Sequence, residues 1–159
     1  MDIHVTYDQM RSKANHINTT ASSTLKSALN SAHATVYGMS KNWKGNQYNQ
    51  FAKWYSDSIV PSLDKVLAAI EVTIPTAIMD ICRNYQRNEN VTPYNTTYKR
   101  SGNLNRGVST TDIGSSDFNS AKVEADIKKL NDTLDKSMDI ISGLVDGFKS
   151  DEAWKSTSA

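Results

Sequence analysis

The stretch that decides the fold is Ser40-Lys41-Asn42-Trp43-Lys44-Gly45-Asn46, in which one residue separates a tryptophan from a glycine. On both sides of it, apolar and small residues recur in steps of three and four, which is the period of one face of an α-helix. Two helices joined by so short a connection fold back on each other, so residues 1–90 are predicted to form an antiparallel helical hairpin with this corner at its tip. The first face contains Tyr7, Met10, Ala14, Ile17, Ala21, Leu25, Ala28, Ala32, Val36 and Met39, and the second contains Phe51, Tyr55, Ile59, Leu63, Val66, Ile70, Ile74, Ala77, Ile81 and Tyr85.

Two prolines interrupt the second predicted helix. Pro61 and Pro75 each remove a backbone hydrogen bond and crowd the preceding turn, so kinks or breaks are expected there. The apolar period continues through both positions, which predicts a bent rod that ends near Arg87.

The rest of the chain divides at a change of composition. Residues 91–116 are rich in Asn, Thr, Ser, Gly and Arg, show no period, and are predicted to be a flexible linker. Residues 117–159 are predicted to form a third amphipathic helix, ending near Gly147, and a tail. The sequence therefore predicts an all-α protein. The third apolar face contains Phe118, Val123, Ile127, Leu130, Leu134, Met138, Ile141, Val145 and Phe148.

Composition excludes several function classes. The chain has 159 residues, a hydrophobic share of 38% and a formal net charge of +1, so no strong field would recruit nucleic acid. No window approaches the roughly 18 apolar residues of a membrane span, which predicts no stable membrane insertion. Residues 1–5 lack the basic and apolar regions of a signal peptide, which predicts synthesis in the cytoplasm. This observation does not exclude export by a route that recognises folded structure.

The sequence offers little catalytic chemistry. His16 and His33 are too far apart along one helix to share a metal ion, and no Cys/His cluster has ligand spacing. No nucleophile elbow or phosphate-binding loop is present. We therefore predict a protein without enzymatic activity, cofactor, metal site or catalytic residues. The lone Cys82 is interpreted as a buried thiol, and the alternative is a disulfide across a symmetric dimer.

A second short motif lies where the second helix ends. Tyr85 and Glu89 stand four residues apart, on one helical face. Together with Trp43 and Gly45 at the corner, this conjunction resembles the WXG (ESAT-like, Esx-like) family of small substrates of type VII secretion systems in Gram-positive bacteria and mycobacteria. The resemblance covers about residues 1–90.

The resemblance implies a function as well as a fold. Members of the family pair as dimers that form four-helix bundles, leave the cell without a cleaved leader and have no enzymatic activity. Carried over, Trp43 and Gly45 match the turn motif, and Tyr85 and Glu89 match the tyrosine-acid export motif; the two would form a composite signal across a dimer. The implied partners are an identical chain or another WXG-type protein, and the export ATPase. Residues 91–159 exceed the usual family length.

Physical reasoning also predicts a partner. The second helix carries more apolar surface than one neighbouring helix covers, and a fully buried large side chain contributes roughly 1.5–3 kcal/mol. The predicted dimer interface consists of Phe51, Trp54, Tyr55, Ile59, Leu63, Val66 and Ile70.

Two other hypotheses compete with export. A helical bundle of this kind is also suited to a cytosolic chaperone or adaptor for a larger secreted toxin. A membrane-active protein is less favoured, because Lys and Asp are balanced on the third helix, without the cationic face that surface binding prefers.

Overall fold

The computed structural model describes residues 3–104 and 117–149, with side chains over 7–104 and 118–144. These residues are helical apart from a corner, one extended segment and two very short strands, so the all-α prediction is confirmed. The first rod, residues 3–38, consists of α1 (Ile3–Thr20), a π-helical turn (Ala21–Leu25) and α2 (Lys26–Gly38). A 3₁₀ turn (Met39–Lys41) and strand β1 (Trp43–Lys44) form the corner.

The second rod, residues 46–88, contains two π-helical turns. Its parts are α3 (Asn46–Trp54), a π-helical turn (Tyr55–Ile59), α4 (Val60–Ala68), a second π-helical turn (Ala69–Thr73) and α5 (Ile74–Asn88). Pro61 and Pro75 lie in the first turns of α4 and α5. A proline cannot donate to the helical ladder, and at both places the ladder widens immediately before it. The chain therefore continues through both prolines as helix.

The two rods pack antiparallel. The start of α1 lies against α5, where the Tyr7 hydroxyl donates to the carbonyl oxygen of Tyr85 at 3.5 Å. Further along, His33 meets Tyr55, and the Tyr48 hydroxyl donates to the carbonyl of Val36. The first predicted apolar face is the buried one: all its members except the partly exposed Ala28 are buried.

The buried face of the second rod lies one position later than predicted. Val66, Ile74 and Ile81 are 41%, 39% and 43% exposed. The offset is present from the start of the rod, where Tyr48 and Ala52 are fully buried and Phe51 is only partly buried, and it stays at one position through both π-helical turns. The residues buried after the first of these turns begins are Ser56, Val60, Leu67, Glu71, Pro75, Ile78, Cys82 and Gln86, together with Tyr55, Ile70 and Met79.

Residues 91–104, which we call the strap, lie along both rods. Asn90 turns the chain with a φ of 58°, and the amide of Val91 donates to the carbonyl of Gln86 at 2.8 Å. The hydroxyls of Tyr94 and Tyr98 then donate to Asp8 and Asn15 on the first rod. The strap was predicted to be flexible linker, yet it is pinned by side chains over its whole length. The rest of the predicted linker, residues 105–116, lies outside the described residues.

After strand β2 (Asp117–Phe118), helix α6 (Ser120–Lys149) runs back along α2. Val123 is buried near the corner, and Leu130 joins the main core. Lys26 contacts the strap, whereas Thr35, nine residues later, lines the shallow groove between α2 and α6. Nine residues make two and a half helical turns, so the strap and α6 cover opposite sides of the first rod.

Candidate functional site

Gly45 fixes the geometry of the corner. Its φ of 121° and ψ of −176° lie in a region that side-chain-bearing residues rarely adopt. Gly45 precedes α3, and its carbonyl oxygen accepts the amide of Asn49 at 3.2 Å. The glycine of the Trp-x-Gly motif is therefore required by the backbone of the corner. Placement of Trp43 depends on it.

Trp43 sits in a cluster of aromatic rings and is partly buried. Its ring centroid lies 5.6 Å from that of Tyr48, 5.7 Å from that of Phe51 and 6.0 Å from that of Phe118. The series continues from Phe51 to Trp54 over 6.2 Å. We call Phe118, Trp43, Phe51 and Trp54 the aromatic row. Phe118 and Trp54 are 58% and 54% exposed, so the row reaches the surface at both ends.

The tyrosine-acid pair lies at the opposite end of the second rod. Tyr85 is partly buried, and Glu89 is exposed directly after α5. The amide of Glu89 still donates to the Tyr85 carbonyl at 3.1 Å, so the helical spacing of the pair is kept. At 1.5 Å per residue, Trp43 and Tyr85 are about 60 Å apart along the rod. One chain does not bring the two motifs together.

The residues predicted for a dimer interface fall into three groups. Tyr55 and Ile70 belong to the core of the single chain, at 3% and 7% exposure. Trp54 and Val66 are exposed, and with Ile74 and Ile81 they form a set that we call the outer stripe. Sequence reasoning placed Ile74 and Ile81 on the face toward the first rod, because it counted from Phe51 and not from the fully buried Ala52. The remaining three, Phe51, Ile59 and Leu63, are partly buried against the core.

A buried polar pair, which sequence reasoning missed, joins the rods. His33 is 1% exposed, and its Nδ1 lies 2.8 Å from the Tyr55 hydroxyl. Among the described residues, its Nε2 has no hydrogen-bond partner. Burial lowers the pKa of His33 to about 4, and the charge of Asp64 opposes this only in part. Burial also raises the pKa of Tyr55. Both side chains are therefore neutral at physiological pH.

A second polar cluster, also missed, ties the strap to the second rod. Glu71 is fully buried and accepts hydrogen bonds from Arg100 Nε at 3.2 Å and from the Ser101 amide and hydroxyl at 2.8 and 2.7 Å. Arg100 also reaches Asp64 at 2.8 Å. Burial raises the pKa of Glu71, but the hydrogen bonds from Ser101, Ser22 and Arg100 outweigh it and hold the pKa below its usual value. No apolar period marks these residues in the sequence.

Comparison with known protein families, with curated proteins and with solved structures finds no match to this chain. Within residues 3–104 and 117–149, no group of three or more His, Cys, Asp or Glu residues is placed to hold a metal ion. No helix in that part of the chain has the length and apolarity needed to cross a membrane. Cys82 is a fully buried thiol whose pKa is raised by burial.

Proposed function

We propose that this chain is a non-enzymatic protein of a type VII secretion system, exported without a cleaved signal peptide or acting as the partner of an exported protein. The observation that carries the proposal is the placement of the two motifs. Trp43 is held at the corner, partly exposed, by a glycine that the backbone requires. Tyr85 and Glu89 lie at the far end of the same rod at helical spacing, with Tyr85 partly buried and Glu89 exposed.

The outer stripe supports dimerisation as the mechanism. Trp54, Val66, Ile74 and Ile81 lie along one rod and stay between 39% and 54% exposed although the strap and α6 are in place. Two copies contribute eight such side chains, and their burial is worth about 6–12 kcal/mol before the cost of association. Association itself costs at least about 4 kcal/mol, so the net gain from the stripe is at most about 8 kcal/mol, which corresponds to a dissociation constant no tighter than about 1 µM.

The stripe also has a register in which it pairs with itself. If two second rods lie antiparallel with Trp54 of one copy beside Ile81 of the other, then Ile59 falls near Ile74 of the other copy and the two Val66 side chains meet near the centre. The same register brings Trp43 of one chain to the height of Glu89 of the other. An antiparallel dimer would thus assemble at each end the two motifs that a single chain keeps about 60 Å apart. A heterodimer with another WXG-type protein would use the same stripe, and the export ATPase would recognise the assembled ends.

Export is expected to depend on both motifs. Trp43→Ala and Glu89→Ala should each remove the chain from the culture medium of its host while it accumulates in the cells, because each variant removes one half of the composite signal. The measurement is immunoblotting of medium and cell fractions. Glu89 is exposed, so its substitution leaves the fold intact even where Trp43→Ala disturbs the corner.

Met138→Ala, at an exposed position on α6, is the control and should be exported normally. Equal export of all variants contradicts the proposal. Retention of the unaltered chain inside the cell contradicts its own export and favours the cytosolic chaperone or adaptor of a larger toxin.

Self-association is expected to fail when the outer stripe is charged. Val66→Asp with Ile74→Asp should shift the purified chain from dimer to monomer across about 1–100 µM, a range set by the micromolar estimate, because each carboxylate would be buried without a partner. Multi-angle light scattering and sedimentation measure the mass. Ile127→Asp is the matched control, since Ile127 on α6 is 44% exposed and Val66 is 41% exposed. A monomeric unaltered chain that also ignores a neighbouring Trp-x-Gly protein would overturn the dimer.

A further inference from the structure

Helix α6 begins at the Trp-x-Gly corner and is tied to it by backbone. Strands β1 and β2 pair antiparallel, with Trp43 opposite Phe118 and Lys44 opposite Asp117. The amide of Asn119 then donates to the carbonyl of Asn42 at 2.8 Å. A segment more than seventy residues away in sequence therefore shares the corner with the motif.

The position of Phe118 is fixed from its C-terminal side as well. The side-chain oxygen of Asn119 accepts the amide of Lys122 at 3.2 Å, and its carbonyl accepts the amide of Val123 at 3.0 Å, so Asn119 caps α6. Val123 is 3% exposed and packs with Met39 and Tyr48. Phe118 is thus held by the strand pairing on one side and by the buried Val123 on the other.

Phe118 adds surface beside the indole. It remains 58% exposed, and Trp43 beneath it is still partly exposed. A side chain whose role was to seal the indole would itself be buried. The outcome is an aromatic row contributed by three segments, and clustered aromatic side chains at the surface are typical of the energetic centres of protein interfaces.

The surroundings of the row indicate the charge of its partner. Residues 39–56 contain Lys41, Lys44 and Lys53 and no carboxylate. All three lysines are exposed, as is Lys122 at the start of α6.

On the facing segment, Asp117 stands opposite Lys44 in the strand pairing, Asp126 bonds Asn42 and Glu124 is exposed. Lys53 bonds Asp57 at 2.9 Å. Positive and negative charges around the row therefore balance, and the complementary partner surface is apolar, without net charge at its rim.

We propose that Phe118 is part of the recognised surface at the corner, so that the export signal consists of Trp43 and Phe118 together and docks into an apolar groove, without net charge at its rim, of a protein partner. The proposal rests on the proposed function, since it names a further residue of the same site. The third helix then has a recognition role: it delivers Phe118 to the corner.

The test is export of Phe118→Ala from the host. We expect the amount in the medium to fall about tenfold, the size typical of losing an interface anchor, while helical content and melting temperature stay close to those of the unaltered chain because the ring is mostly exposed. Phe118→Trp should restore export. Met138→Ala is the matched control, because Met138 is also 58% exposed and also lies on the C-terminal segment.

The outcomes separate the two proposals. If Trp43→Ala blocks export and Phe118→Ala does not, the composite surface is wrong and the proposed function stands. If Phe118→Ala increases export, the segment is a cover over the indole, and the composite surface is again wrong. If neither substitution changes export, the proposed function fails. Loss of export with Phe118→Ala and its return with Phe118→Trp supports the composite surface.

Discussion

Replacing Arg100 with methionine is expected to lower the free energy of unfolding by about 2–3 kcal/mol. Glu71 is fully buried, and Arg100 supplies the only positive charge that bonds its carboxylate among the described residues. Methionine keeps much of the apolar stem of arginine and removes that charge. The carboxylate would then keep the hydrogen bonds from Ser101 but would be buried without a counter-ion. Removing only one partner of a buried ion pair is strongly destabilising, because the other charge stays buried and uncompensated.

Chemical denaturation at neutral pH measures this loss. Lys99→Met on the same strap is the matched control, because Lys99 is exposed and its replacement should change stability by less than about 0.5 kcal/mol. Adding Glu71→Gln to the Arg100→Met variant should recover part of the loss, since the buried charge is then removed. Equal effects of Arg100→Met and Lys99→Met would show that the strap is not held through Glu71.

Acid is expected to destabilise the chain through His33 between about pH 6.5 and pH 4. The pKa of His33 falls from its ordinary value of 6.5 to about 4 in the folded chain, chiefly because of burial. Between these values the unfolded chain binds a proton that the folded chain does not, so stability declines as pH falls through this window. The full loss is about 3 kcal/mol, reached near pH 4. A protonated ring would also point its Nε2–H at a site with no acceptor among the described residues.

The measurement is the free energy of unfolding at intervals from pH 7 to pH 4. His33→Gln should flatten the curve in this window, whatever its effect on stability at pH 7. His16→Gln is the matched control for the substitution itself, since His16 lies on the same rod and is exposed. The pKa of Glu71 is held below its usual value, so the stability that this carboxylate contributes is lost at lower pH than the stability lost through His33. A slope that survives His33→Gln would assign the acid sensitivity to another group.

The first rod could be predicted from sequence almost residue by residue. Its seam is built of small and apolar side chains at uniform helical spacing, and neither proline lies within it. In the second rod the same counting assigned Ile74 and Ile81 to the inside, because it followed the large apolar side chains from Phe51. The buried face instead starts at Tyr48 and Ala52 and contains polar members such as Ser56 and Glu71. An error of one position in the predicted apolar face therefore placed outward-facing side chains on the inner face of the helix.

The strap and the polar clusters could not be predicted for a different reason. Tyr94, Tyr98 and Arg100 carry no period, and their partners Asp8, Asn15 and Glu71 are distant in sequence. Such contacts are specified by tertiary geometry, which residue spacing does not encode. The corner could be predicted in part. Gly45 was expected at the turn, but the pairing of Trp43 with Phe118 depends on a helix that begins at Ser120, far along the chain.

The two π-helical turns of the second rod also bear on how this chain can change in length. Because each already accommodates one surplus residue, losing Ser58 from the first or Thr73 from the second would restore an ordinary helix with little rotation of the residues after it. Loss of a residue elsewhere in the rod would turn every later side chain by about 100° and expose Cys82 or Leu67. Natural gain or loss of single residues in this rod should therefore concentrate at those two turns.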